Sequence, residues 1–332
     1  MGNGTSGNLS INLHRNNSIY YTDELITGNI CLNIDEGHLK GNEISVGLTG
    51  EIGFTKNERT LNVQGHSSAA TIEYHHLPFY SKKRLLIEAN QNEKEFVLSS
   101  GSYSWPFELA LLTNLPPTLN DPHVYPHVRY SLQVILKTRW YRFDRKETMY
   151  VSIYPRVNLL ANVNCLLPTR FANENRKDIC LKGCINKSGY VANEIISIQL
   201  NIENPKKVLI KQIDLLLFQL YQISDNSSEN LLFRTSLPNI VNRRDEQIDE
   251  TSCVLLPSKV LPPTFHFQRE NQKQIFVQIS YFLRFEVKVE GLFTNFDIDV
   301  PIRIANQNDN ENDPPPPSYE SFMRNLTRFL NT

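Results

Sequence analysis

Apolar and polar residues alternate at a period of two over much of this chain. The run Ile196-Ser197-Ile198-Gln199-Leu200-Asn201-Ile202 alternates without a break, and Phe285-Glu286-Val287-Lys288-Val289-Glu290 does the same. Successive side chains of a strand point to opposite faces, so this period buries one face and wets the other. A third run, Ile298-Asp299-Val300-Pro301-Ile302-Arg303-Ile304, contains Pro301. Proline cannot donate to a ladder, so it marks an edge or a bulge. Residues 213–220 are apolar on both sides and predict a central strand. Breaks rich in Asn, Asp, Gly and Pro separate the runs, and no long helical stripe precedes residue 305. The pattern predicts an all-β fold of antiparallel sandwiches.

The chain also repeats itself. Asn16, Tyr20, Glu24 and Leu25 recur 170 residues later as Asn186, Tyr190, Glu194 and Ile195. An alternating strand follows each copy. Later in each half comes Leu-Pro-Pro-Thr, at 115–118 and 261–264, and then a strand bearing Tyr130 or Tyr281. Chance can give one such match; four in one order predict two sandwiches of shared design. The expected layout is a leader over 1–8, a first sandwich over 9–160, a linker over 161–175, a second sandwich over 176–305 and a tail over 306–332.

Composition narrows the function. At 332 residues the chain suits about two domains, and 40% hydrophobic content fills ordinary cores. A net charge of −1 gives no global field for nucleic acid. No apolar run is long enough to span a bilayer, and the Gly-, Asn- and Ser-rich start lacks a signal-peptide pattern. The expectation is a cytoplasmic protein. Cys31, Cys165, Cys180, Cys184 and Cys253 are an odd, scattered set, more like reduced thiols than a disulfide framework. Cys180 and Cys184 lack a second pair at zinc spacing, so neither a metal nor a cofactor is implied. Phosphate-cradling loops, nucleophile elbows and paired-histidine zinc helices are missing, and no enzyme is expected. His75-His76 reads as a solvent-facing pair in a loop.

The tail carries the sharpest motif. Pro314 to Pro317 are four prolines, and Pro316-Pro317-Ser318-Tyr319 places a tyrosine after a proline pair with one residue between. Pyrrolidine rings pre-set φ near polyproline II, so little ordering entropy is lost when an aromatic-lined WW groove takes the segment. Pro316, Pro317 and Tyr319 are the expected contacts; an inert stiff linker is the plainer reading. Residues 306–313 hold no apolar side chain and are expected to be unfolded, which leaves the motif accessible. After it, Phe322, Leu326, Phe329 and Leu330 fall on one face of a short helical pattern.

These residues carry a family resemblance. The first half resembles arrestin-domain proteins of the α-arrestin kind in Leu9-Ser10-Ile11, in 20–34, in Tyr103-Ser104-Trp105-Pro106-Phe107-Glu108-Leu109, in Leu115-Pro116-Pro117-Thr118 and in Val128-Arg129-Tyr130. The second half resembles the second arrestin sandwich in 182–190, Asn193-Glu194-Ile195-Ile196, Asn204, Leu261-Pro262-Pro263-Thr264-Phe265, 281–285 and Asp299-Val300-Pro301-Ile302. The ordered set covers about residues 9 to 304. Tyr21-Thr22-Asp23 departs from a common Pro-Gly turn, and Asp121-Pro122-His123-Val124-Tyr125-Pro126 replaces a commonly glycine-containing loop. The resemblance implies two tandem immunoglobulin-like arrestin sandwiches and a non-enzymatic adaptor. It would link cytosolic regions of transmembrane cargo to a WW-domain HECT-type ubiquitin ligase, for ubiquitination and endocytosis. The alternative is a retromer-like sorting scaffold or receptor regulator that recruits no ligase.

Two further features bear on membranes. Met1-Gly2-Asn3-Gly4-Thr5-Ser6 fits the myristoylation pattern at Gly2, the alternative being a plain small-residue leader. Lys82, Lys83 and Arg84, with Arg139 and Arg142, are candidate contacts for anionic lipid or a phosphorylated receptor tail; the alternative is solvated hairpin tips. Together with the resemblance, they imply peripheral association with plasma membrane or endosomes.

Overall fold

A computed structural model describes residues 7–58, 71–90, 95–138, 144–258 and 260–306. Among the described residues the chain divides into two compact units, one running to Pro155 and taking in Gln268–Ile275, the other made of Arg156–Phe267 and the chain from Phe276 onward. The first holds β1 (Gly7–Leu13), β2 (Ile19–Tyr21), β3 (Leu25–Gly41), β4 (Glu43–Glu58), β5 (Thr71–Glu88), β6 (Phe96–Ala110), β7 (His127–Lys137) and β8 (Arg145–Tyr154). They form a three-stranded sheet, β1-β3-β6, and a five-stranded one, β2-β8-β7-β4-β5. After Arg156 come β9 (Thr169–Glu174), β10 (Cys180–Ile185), β11 (Gly189–Val191), β12 (Ile195–Glu203), β13 (Ile210–Ile223) and β14 (Asn226–Ser236). β15 (Gln247–Leu255), β16 (Phe265–Arg269), β17 (Gln272–Val289) and β18 (Phe296–Ala305) complete the set. Here the sheets are β15-β12-β10-β9 and β11-β18-β17-β13-β14, with β16 on β17.

The all-β expectation holds, and so does the repeat. The paths β1-β3-β6 and β10-β12-β15 match strand for strand, as do β2-β8-β7-β4-β5 and β11-β18-β17-β13-β14. In each half a three-residue strand adds parallel to the last one: Ile19 opposite Ser152, and Gly189 opposite Arg303. Alternation places the cores between sheets. Ile26, Ile30 and Leu32 face inward from β3, with Val46, Leu48, Leu132 and Val134 from the other sheet, all fully buried. Ile196, Ile198 and Ile202 do the same against Leu215, Leu217, Leu283 and Phe285. Each such side chain contributes about 1.5–3 kcal/mol relative to exposure. β13 lies between β17 and β14, as its two-sided apolar run requires. Pro301 sits where β18 has β17 on one side only, since β11 reaches no further than Arg303 to Ala305.

The repeated residues perform the same local work twice. The Tyr130 hydroxyl donates to the Pro116 carbonyl at 2.6 Å, and the Tyr281 hydroxyl donates to the Pro262 carbonyl at 2.6 Å. One residue pair further on, Thr118 donates its N–H to Ile153 at 2.8 Å and accepts the Ile153 N–H on its hydroxyl at 2.8 Å. Thr264 and Ile304 exchange the same two bonds at 2.8 and 2.9 Å. Leu-Pro-Pro-Thr is thus a strap tied to the last strand by threonine and to the strand before it by tyrosine. At the other motif, Glu24 accepts the Tyr21 N–H at 3.1 Å and Glu194 accepts the Val191 N–H at 3.0 Å. Asp23 and Asn193 take φ of 68° and 63° in these turns. Asp and Asn tolerate the left-handed region, so the missing Pro-Gly costs the turn little.

The stretch 161–175, expected as a linker, carries structure of its own. A 3-10 turn at Leu159–Ala161 leads into another at Val163–Leu166, and then into β9, which pairs with β10. Leu159 and Cys165 pack with Ala305. All five cysteines are free thiols. A buried carboxylate with several polar partners lies on β13. Asp214 is fully buried, bonded by Arg234, by Lys288 at 2.9 Å and by the Ser236 hydroxyl at 2.5 Å. Burial pushes its carboxyl up, but the bonds from Ser236, Lys288, Arg234 and Gln212 outweigh it and hold the group well below the usual carboxylate range.

Candidate functional site

The basic triplet lies within β5, the edge strand of its sheet, rather than at a hairpin tip. Strand geometry splits it between two faces. Lys82 donates to the Ala110 carbonyl at 3.0 Å and Arg84 to the Glu108 carbonyl at 3.4 Å, so both reach β6. Lys83 lies on the opposite face and pairs with Glu43 at 2.5 Å; Lys137 approaches the same carboxylate at 3.3 Å. Burial pushes Glu43 up, but hydrogen bonds from Lys83, Ser45 and Lys137 lower its pKa to about 2. The three cations therefore do not converge on one point, and each already has an acceptor. Arg139, Arg142, Gly2, Pro316, Pro317 and Tyr319 lie outside the described residues.

A second constellation forms where β5, β4 and β7 run side by side. Gly53 on β4 is directly opposite His76 on β5 and His127 on β7. Cross-strand partners share a face, so both imidazoles stand over the glycine. Their ring centroids are 6.1 Å apart. Glu51 joins them two residues along the same strand, and donor atoms of Glu51, His76 and His127 lie within 4.8 Å of one another. The loop Asp121 to Pro126 covers the group. Tyr125, which precedes a cis proline, sets its ring edgewise on His76 and its hydroxyl 2.6 Å from His76 Nε2. Arg129 holds Glu51 Oε1 through Nε at 2.8 Å and also donates to the Pro122 carbonyl at 2.7 Å. His76 Nδ1 meets the same oxygen at 3.0 Å.

His127 is the unusual member. It is fully buried, its Nδ1 is 3.0 Å from the Val124 carbonyl, and its Nε2 has no partner. Burial pushes its pKa below the ordinary histidine value, with the nearby Arg129 and His76 adding to the effect. The adjacent histidines 75 and 76 thus lie on a strand, not in a loop. His75 points the other way, stacked on Phe54 at 5.1 Å. Sequence reasoning missed this group because its members are far apart in the chain. The signal available was Glu51-x-Gly53 with histidines on both expected neighbours.

The turn between β17 and β18 exposes Leu292 and Phe293 at 88% and 89%. These values decide that neither residue contributes to a core. The turn is nonetheless built: Gly291 and Phe293 have positive φ, and Asn295 Oδ1 accepts the Val289 N–H at 2.8 Å. No helix among the described residues is long and apolar enough to cross a membrane.

Family comparison matches residues 9–160 to the N-terminal domain of arrestin (or S-antigen) and residues 175–308 to its C-terminal domain. No curated protein matches the chain.

Proposed function

As the chain belongs to the arrestin family, we propose that it is a non-enzymatic trafficking adaptor of the α-arrestin kind. Arrestin domains support an adaptor in trafficking or receptor regulation in general. The finer reading is that the two sandwiches engage cytosolic regions of transmembrane cargo while the tail recruits a WW-domain HECT-type ubiquitin ligase. The observation that carries it is Pro316-Pro317-Ser318-Tyr319, placed after two arrestin domains. A ligase held on the same chain as its cargo acts at a raised effective concentration. Cargo and membrane contacts would add avidity to this motif.

Two features support work at a membrane surface. Leu292 and Phe293 give the second sandwich an apolar tip, and Gly2 fits a lipidation pattern. One myristoyl chain alone binds weakly, on the order of 10⁴ M⁻¹, so a second contact is needed for stable residence. The experiment is a titration of the full chain with a WW domain from a HECT ligase, against Tyr319→Ala. The expected result is saturable binding that the variant loses. Equal binding by both sinks ligase recruitment through this motif. Deletion from Asp313 onward then separates the readings: cargo ubiquitination that persists without the tail points to a sorting scaffold.

A further inference from the structure

We propose that Glu51, His76 and His127 form a binding site for a divalent transition-metal ion of the zinc type. The donor set suits such an ion. Two imidazoles and one carboxylate are the ligands of open, three-residue zinc sites, with a fourth position left for water or another oxygen. The phenol of Tyr125 lies 2.6 Å from a ring nitrogen of His76.

His127 supplies the independent argument. Its Nδ1 faces a carbonyl oxygen, Val124 O at 3.0 Å, and a carbonyl only accepts. The proton of the neutral ring is therefore on Nδ1, and Nε2 carries a lone pair. That lone pair is buried and has no partner. An orphaned acceptor in a fully buried ring costs free energy unless something fills it. A ligating histidine that donates its other N–H to a backbone carbonyl is the usual outer arrangement of a metal site.

Gly53 makes the space. An ideal Cβ at this residue would lie 2.4 Å from His127 Nε2 and 3.0 Å from the Tyr125 ring. Any side chain there would occupy the ground beside the lone pair. Because none exists, the His127 ring packs directly over the Gly53 backbone, with Nε2 at the place a Cβ would hold. Zinc binds nitrogen at about 2.0–2.1 Å, which places two tetrahedral ligands roughly 3.3 Å apart. The donors lie within 4.8 Å of one another, so modest movement closes the site. His76 provides it, being a 39% exposed side chain on an edge strand. One of its nitrogens turns to the ion while the other keeps its present hydrogen bond.

Charge permits it. Among the described residues every polar contact of the Glu51 carboxylate falls on Oε1, from Arg129 and His76, and Oε2 is left for the ion. The guanidinium then orients the ligating carboxylate from behind. Bound metal would fasten the 121–126 loop, through His127 next to it, onto β4 and β5.

The test is a Zn²⁺ titration of the full chain by competition with a chromophoric chelator, repeated with Co²⁺ and read by absorption. The proposal expects one ion per chain, with Co²⁺ ligand-field bands and no thiolate charge-transfer band. His76→Ala, at an exposed position, should weaken binding at least about tenfold. Gly53→Ala keeps all three ligands and should also weaken binding, because its Cβ would displace the His127 ring from its place over the strand. Circular dichroism confirms that each variant is folded. Absence of a stoichiometric ion, a thiolate band from the free cysteines, or unchanged affinity in both variants overturns the proposal.

Discussion

Removing the Tyr130 hydroxyl tests whether the proline straps hold the sandwiches together. Tyr130 is fully buried, and its single acceptor, the Pro116 carbonyl, lies on a buried residue. Tyr130→Phe keeps the ring packed edgewise on Phe79 at 5.6 Å and removes only the donor. The Pro116 carbonyl is then buried without a partner, which costs about 1–3 kcal/mol. Tyr281→Phe should cost more. The Tyr281 hydroxyl donates to the half-buried Pro262 carbonyl and also accepts from the buried Gln219 amide at 2.7 Å. Its loss orphans a buried donor as well, for a total of about 2–4 kcal/mol. With about 2–4 °C per kcal/mol for a domain of this size, the melts should fall measurably in both cases. A two-domain chain need not melt in one step. Hydrogen exchange read peptide by peptide therefore assigns each effect, with Tyr130→Phe loosening β7, β8 and the 115–118 strap. If both variants stay within about 0.5 kcal/mol of the parent, as ordinary surface changes do, the straps are not the ties described above.

Asp214→Asn, which leaves Arg234 and Lys288 facing a neutral amide, should cost about 3 kcal/mol in urea unfolding. Glu43 is depressed in the folded state, so its stabilisation is present above about pH 4.5 and is lost as pH falls towards about 2; the stability gap between parent and Glu43→Gln should close over that window. Gly28→Ala should lower the melting temperature by several degrees, since its Cβ would meet the Asn12 carbonyl at 2.4 Å. Leu292→Ser with Phe293→Ser should leave the melt within about 0.5 kcal/mol while reducing co-sedimentation with anionic vesicles; equal sedimentation removes the apolar tip from membrane contact.

The sandwiches were readable because alternation maps directly onto two-faced strands. The repeat was readable for a more particular reason. Tyr130 and Tyr281, Thr118 and Thr264, and Glu24 and Glu194 each supply a side-chain atom to a fixed backbone partner, so the residue types persist while loops vary. The turn at Asp23 looked like a departure, yet its left-handed backbone is one aspartate accepts. Other features hid for physical reasons. β9 is a short edge strand whose residues Thr169 to Glu174 are mostly polar, so it looked like a linker. The basic triplet looked like one patch, although a strand sends alternate side chains to opposite faces. The Glu51–His76–His127 group depends on register across three strands, and on a side chain that Gly53 does not have. Linear spacing records neither.

The parallel pairing of β2 with β8 also sets a timetable. Ile19 leaves the ribosome early, but its partner Ser152 belongs to β8, the last strand of the first sandwich. At roughly 5–20 residues per second the wait is on the order of ten seconds. Until then β2 is unpaired and β7 has a bare edge, and the Thr118 strap has no Ile153 to hold. The second half repeats the delay with Gly189 and Arg303. Pairings this distant in sequence also fold slowly once available. Each sandwich is therefore closed by its final strand, and a nascent chain stalled before Tyr154 would expose a sheet edge to its neighbours.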